Sequence, residues 1–87
     1  MYIHLGAETV VRSRHVIGIF DTDNTTLSKT TRDYLSRAEK EGRVVSITYD
    51  LPKSFVVCQN EQGEETVYLS QLSAATLRKR VYENQVG

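Results

Sequence analysis

The chain has 87 residues, 39% of them hydrophobic and 25% charged, and its 11 Lys and Arg balance its 11 Asp and Glu. That is the size and make-up of one ordinary globular domain, residues 1–87, with a core small for its surface. A dedicated nucleic-acid binder usually carries a clear basic excess, so any phosphate contact here needs a localised patch of Lys and Arg.

The small core also makes self-association an expectation, since closed assemblies protect exposed strand edges. The single cysteine, Cys58, cannot form an internal disulfide, and in "SFVVCQN" it reads as a small buried hydrophobe in a reducing compartment. "MYIHLGAETVV" lacks the positive start and long apolar core of a signal peptide, and no apolar run nears the ~20 residues of a membrane span. A cytoplasmic protein without membrane contact is expected.

"YIHL" (Tyr2 to Leu5) alternates and predicts a short strand that turns at Gly6, and "ETVV" (Glu8 to Val11) predicts a second. The basic segment "RSRH" follows. "HVIGIFD" (His15 to Asp21) is apolar on both faces, which suits a central strand, and Gly18 within it signals a bulge or a close approach. "DTDNTT" is a polar breaker ending in an N-cap at Thr25 or Thr26. A helix then runs to about Glu41 and stops at Gly42. Leu27, Thr31, Tyr34, Leu35 and Ala38 form its apolar stripe, and Arg32, Arg37 and Lys40 its solvated face. Asp33 and Arg37 are spaced for an ion pair.

"RVVSITY" (Arg43 to Tyr49) predicts another strand, and "DLPKS" a turn holding the only proline. "FVVCQ" and "TVYLS" predict two strands joined through "NEQGEE", a hairpin loop containing Gly63. The terminal stretch predicts a short helix capped by Ser73, with Leu72 stapled against Leu77 and with Leu77 and Val81 inward. The expected architecture is α+β: a small antiparallel-rich, single-layer sheet covered by one helix, with a short C-terminal helix.

Enzymatic motifs are absent from the sequence: no glycine-rich phosphate loop, no H-E-x-x-H and no nucleophile elbow. His4, His15 and Cys58 have no metal-ligand spacing, and His4 reads as a strand histidine. "DTDN" fails as a calcium loop, because Thr26 and Arg32 stand where Gly and Glu are needed. Glu64 and Glu65 read as a solvated turn. No catalytic residue, cofactor or metal is expected.

Three basic groups remain. Arg78, Lys79 and Arg80 read as cations near a helix C-terminus, complementing its dipole. Lys53 lies in the turn after Pro52. Arg12, Arg14 and His15 stand at a strand entrance, either as gatekeepers against edge aggregation or as a binding edge.

"MYIHLG", "VVRSRHVIGIFD", "PKSFVV" and "VYLSQLSAATLRKR", in this order, together resemble the RemA/RemB family of extracellular matrix regulatory proteins, its RemB branch more than its RemA branch. The resemblance spans Met1 to about Val81. It implies a ring-forming protomer and a DNA-binding regulator of extracellular matrix (biofilm) genes in spore-forming bacteria, with DNA contacted by arginines on loops. Repeated around a ring, weak phosphate contacts add through effective concentration. The RemA branch has an arginine just before its central strand, where this chain has His15 preceded by Arg14. It has an arginine pair in the loop that here reads "DLPKS", with Asp50 and a single Lys53. The resemblance thus points to Arg12, Arg14, His15 and Lys53 as DNA contacts, His15 with a pH-dependent charge. The other reading is an oligomeric structural module that binds a protein, or its own paralogue, and not DNA.

Overall fold

The computed structural model describes residues 2–22, 28–48 and 50–86, with backbone alone at 84–86. The elements run β1 (Tyr2–Gly6), β2 (Thr9–Arg12), a 3-10 turn (Ser13–His15), β3 (Val16–Asp21), α1 (Lys29–Lys40), β4 (Val44–Ser46), β5 (Ser54–Gln59), β6 (Glu65–Ser70) and α2 (Ala74–Val86). β1 and β2 form a two-stranded hairpin, and the other four strands form a second sheet in the order β3-β5-β6-β4. Three pairings are antiparallel and one, β4 with β6, is parallel. The fold is α+β with a mostly antiparallel complement of strands.

Side chains alternate across a strand, and β5 sends its residues to two separate cores. Phe55 and Val57 join Val67 and Ala38, against which Tyr34 and Leu35 of α1 pack. Val56 and Cys58 join Ile3, Leu5 and Val11 of the small hairpin and Leu77 of α2. The four-stranded sheet is therefore covered on both faces, by α1 on one and by α2 with the β1–β2 hairpin on the other. This corrects the expectation of a one-sided layer with a single covering helix. Each fully buried Ile3, Leu5 or Leu77 stabilises the fold by about 1.5–3 kcal/mol.

β3 is not central. It is an edge strand, and β5 and β6 occupy the middle. An apolar pattern on both faces reports cover above and below a strand and says nothing about its lateral neighbours. Gly18 does mark a bulge, since the β3–β5 register shifts between Val16 and Gly18. A Cβ there would lie 2.6 Å from Cε2 of Phe20, whose ring stacks on Phe55.

Helix α1 starts later than the breaker suggests. Its N-cap is Ser28, whose Oγ accepts from the Thr31 amide at 3.2 Å. Thr25, Thr26, Leu27 and Tyr49 lie outside the described residues. Gly42, at φ 73°, follows the C-cap Glu41. Among the described residues no Asp33–Arg37 ion pair forms. In α2, Ser73 Oγ caps the Thr76 amide at 3.1 Å, and Leu72 packs on the core that holds Leu77. The helix continues to Val86 and is longer than expected. Among the described residues no helix is long and apolar enough to cross a membrane.

Candidate functional site

The 3-10 turn carries the chain from the small hairpin into β3, and the sequence folds this way because Arg12 stays extended (φ −74°, ψ 133°) before it. Arg12 pairs across the hairpin with Tyr2, and its guanidinium lies over the Tyr2 ring, 5.8 Å from the centroid. That distance is within the range of a cation–π contact. Arg14 and His15 sit on the turn itself. Arg12, Arg14 and His15 are thus brought together on one corner.

The register of β3 against β5, Val16 opposite Cys58, sets this corner beside the end of β5 and the β5–β6 loop. The Arg14 guanidinium donates to the carboxylate of Glu61, whose side chain is 65% exposed. His15 Nε2 lies 3.8 Å from the same carboxylate, too far for a hydrogen bond. Nε2 is buried and makes no hydrogen bond among the described residues. A recess of about 260 Å³ opens here, lined by Tyr2, Arg12, His15 and Glu64 among others. At this corner one guanidinium, that of Arg14, meets a carboxylate, while Arg12 lies over Tyr2 and the Glu64 carboxylate accepts from Asn60 Nδ2 at 3.1 Å. Sequence reasoning missed Glu61, which is 47 residues from Arg14 and carries no local signal.

Lys53 is elsewhere. Its carbonyl accepts from the Thr22 amide at 3.1 Å and its amide donates to the Ser70 carbonyl at 2.8 Å. Asp21 pairs with Ser54, so Lys53 marks the opposite end of β5 from the 3-10 turn. At strand spacing that separation is roughly 20 Å. Within one protomer Lys53 does not share a patch with Arg12 and Arg14. In the same loop the Asp50 carboxylate accepts from Gln71 Nε2 at 3.0 Å, and Leu51 is 88% exposed.

The third basic group has a structural task. Arg78 donates to the Ile19 carbonyl and Arg80 to the His4 carbonyl, both at 2.9 Å. These residues lie in the middle of α2, so the dipole reading of them is wrong. They tie the helix to β3 and β1. Lys79 lies 4.0 Å from Glu83.

A second polar group joins α1 to β6. The Tyr34 hydroxyl donates to Glu65 at 2.6 Å and accepts from Arg43 at 3.3 Å. Burial, then the Glu65 hydrogen bond, pushes the Tyr34 phenol up. Glu65 is therefore a paired residue and not part of a solvated turn. Among the described residues no group of three or more His, Cys, Asp or Glu is placed to hold a metal ion.

A family profile described as "RemA-like: Extracellular matrix regulatory protein A-like" matches residues 2–81. The chain is also 38% identical, over 80 residues, to "Extracellular matrix regulatory protein B" of Bacillus subtilis (strain 168). That alignment covers 92% of this chain and 89% of the relative. The matched span takes in every strand, helix α1, the 3-10 turn and the greater part of α2. The chain belongs to the RemA-like family of extracellular matrix regulatory proteins, on its RemB side.

Proposed function

We propose that this chain is a cytoplasmic, non-enzymatic regulator of extracellular matrix genes that assembles into a ring and holds the DNA backbone through Arg12 and Arg14. His15 lines the same corner, and Lys53 contributes from the far end of the sheet. The observation that carries this reading is the grouping of Arg12, at the end of β2, with Arg14 and His15 of the 3-10 turn at one corner of a RemA-like chain. Two edges of the main sheet, β3 and β4, are available for contact between copies. In a ring, Lys53 of one copy and the turn of the next are able to form a common rim, which one protomer does not supply.

The test is a titration of double-stranded DNA at two salt concentrations. Each phosphate contact contributes roughly one unit to the slope of log affinity against log salt. Arg12→Ala with Arg14→Ala is expected to lower that slope and abolish binding at physiological salt. It should leave the assembly and the melting temperature nearly unchanged. Arg37→Ala, on the exposed face of α1, serves as the control.

A second reading has its own observation. Glu61 already pairs with Arg14, and Glu64 lines the recess beside Arg12 and His15. A corner that is balanced in charge suits an oligomeric module docking on protein. A wild type with no salt-dependent DNA binding at all, or dissociation of the assembly by the double substitution, would favour this module.

A further inference from the structure

Glu61 stands on a loop that does not need it. Asn60 builds that loop: its Oδ1 accepts from the Gln62 amide at 3.0 Å and the Glu64 amide at 2.9 Å. The Asn60 amide donates to the Glu64 carbonyl at 3.0 Å, and the Gly63 amide, with Gly63 at φ 82°, returns to the Asn60 carbonyl at 3.0 Å. The Glu61 side chain takes no part in these bonds. It reaches instead across to the 3-10 turn, where one carboxylate oxygen meets Arg14 and faces His15. A carboxylate on a guanidinium presents the same paired oxygens as a phosphate.

We propose that Glu61 is an internal competitor for phosphate. In the free protein it occupies one amino group of Arg14, so an anion that takes the guanidinium fork with two oxygens must displace it. The proposal rests on the DNA-binding reading for its biological meaning, but its chemistry concerns any phosphate anion. An isolated phosphate gains Arg14 only by an even exchange of one anion for another. A polyanion that reaches Arg12 and several copies at once gains more than it displaces. Glu61 thereby sets the corner against small anions and leaves it open to long ones.

The test uses the full chain and tripolyphosphate, followed by NMR through the amides of Ser13, Arg14 and His15. Glu61→Gln keeps the shape and an acceptor but removes the charge. It should tighten tripolyphosphate binding roughly two- to fivefold, the worth of an exposed ion pair. The gain should vanish when Arg14→Ala is already present. Glu64→Gln measures the effect of removing a nearby charge that does not hold Arg14, and its smaller gain should survive in the Arg14→Ala background. Wild-type affinity from Glu61→Gln, or an equal gain with and without Arg14, overturns the competitor. A parallel titration with duplex DNA separates the two readings. If tripolyphosphate shows the gain and no variant binds DNA, the competitor stands and the DNA-binding reading falls.

Discussion

Cys58 faces inward from β5, 6% exposed, and burial pushes its thiol up from 9.0 to about 11. Between those values the unfolded chain releases a proton that the folded chain keeps. The contribution to stability is complete below pH 9.0 and declines as pH rises toward about 11. Burial raises Tyr68 in the same direction, with the Cys58 charge adding to it, and Tyr34 is raised as well. Denaturation midpoints should therefore fall on the alkaline side, and less steeply in Cys58→Ala, which itself costs roughly 1 kcal/mol. A thiol reagent should label native Cys58 at least about tenfold more slowly than the denatured chain. Gly18 supports a second prediction. Gly18→Ala drives a Cβ into the Phe20 ring, which is stacked on Phe55 with centroids 4.9 Å apart. Overpacking of this kind costs about 1–3 kcal/mol, and a chemical melt will show it. Both residues were legible in the sequence because their signals are local: an apolar run around Cys58, and a glycine within a strand. The partner of Arg14 was not legible, since nothing near residue 14 points to residue 61.

Among the elements, the Ser73 cap, the Gly42 stop and the apolar stripe of α1 were readable, while the N-cap of α1, which falls at Ser28, and the strands' neighbours were not. Ser73 and Gly42 announce helix ends through backbone chemistry that acts within a few residues. The order β3-β5-β6-β4 depends on pairings between distant segments, and the parallel β4–β6 pair has no sequence signature. For the same reason Arg78 and Arg80 looked like solvated cations. Their guanidinium groups instead bond the carbonyls of Ile19 and His4, on two different strands. Replacing both with alanine should cost within about 1 kcal/mol per bond. The loss should be concentrated in α2, where amide hydrogen exchange will quicken first. The salt slope of DNA binding should stay as in the wild type, because these side chains bind the protein's own backbone. A fall in that slope would place Arg78 or Arg80 on the DNA.

For the whole molecule, the question is what covers the two edges of the main sheet. Each edge shows a β-branched residue to solvent: Ile17 on β3, 57% exposed, and Val45 on β4, 43% exposed. Contact between the β3 edge of one copy and the β4 edge of the next would be head-to-tail, and a head-to-tail contact closes into a ring when its rotation permits. The proposed assembly therefore predicts a discrete particle in light scattering, a multiple of the 9.9 kDa chain. Ile17→Glu should shift it toward 9.9 kDa. Because Ile17 is already exposed, that change should alter protomer stability by no more than about 0.5 kcal/mol. A wild-type particle of 9.9 kDa would remove the ring. An oligomer indifferent to both Ile17→Glu and Val45→Glu would keep assembly but move the interface off these edges. The two halves of the proposal meet in one further measurement. A single corner, with Arg14 held by Glu61, offers little net attraction for phosphate, so DNA affinity must come from repetition. Ile17→Glu, which leaves Arg12 and Arg14 intact, should then lose DNA binding in step with the loss of the oligomer. Retention of full affinity by a monomeric variant would show that one corner suffices and that repetition is not the source of binding.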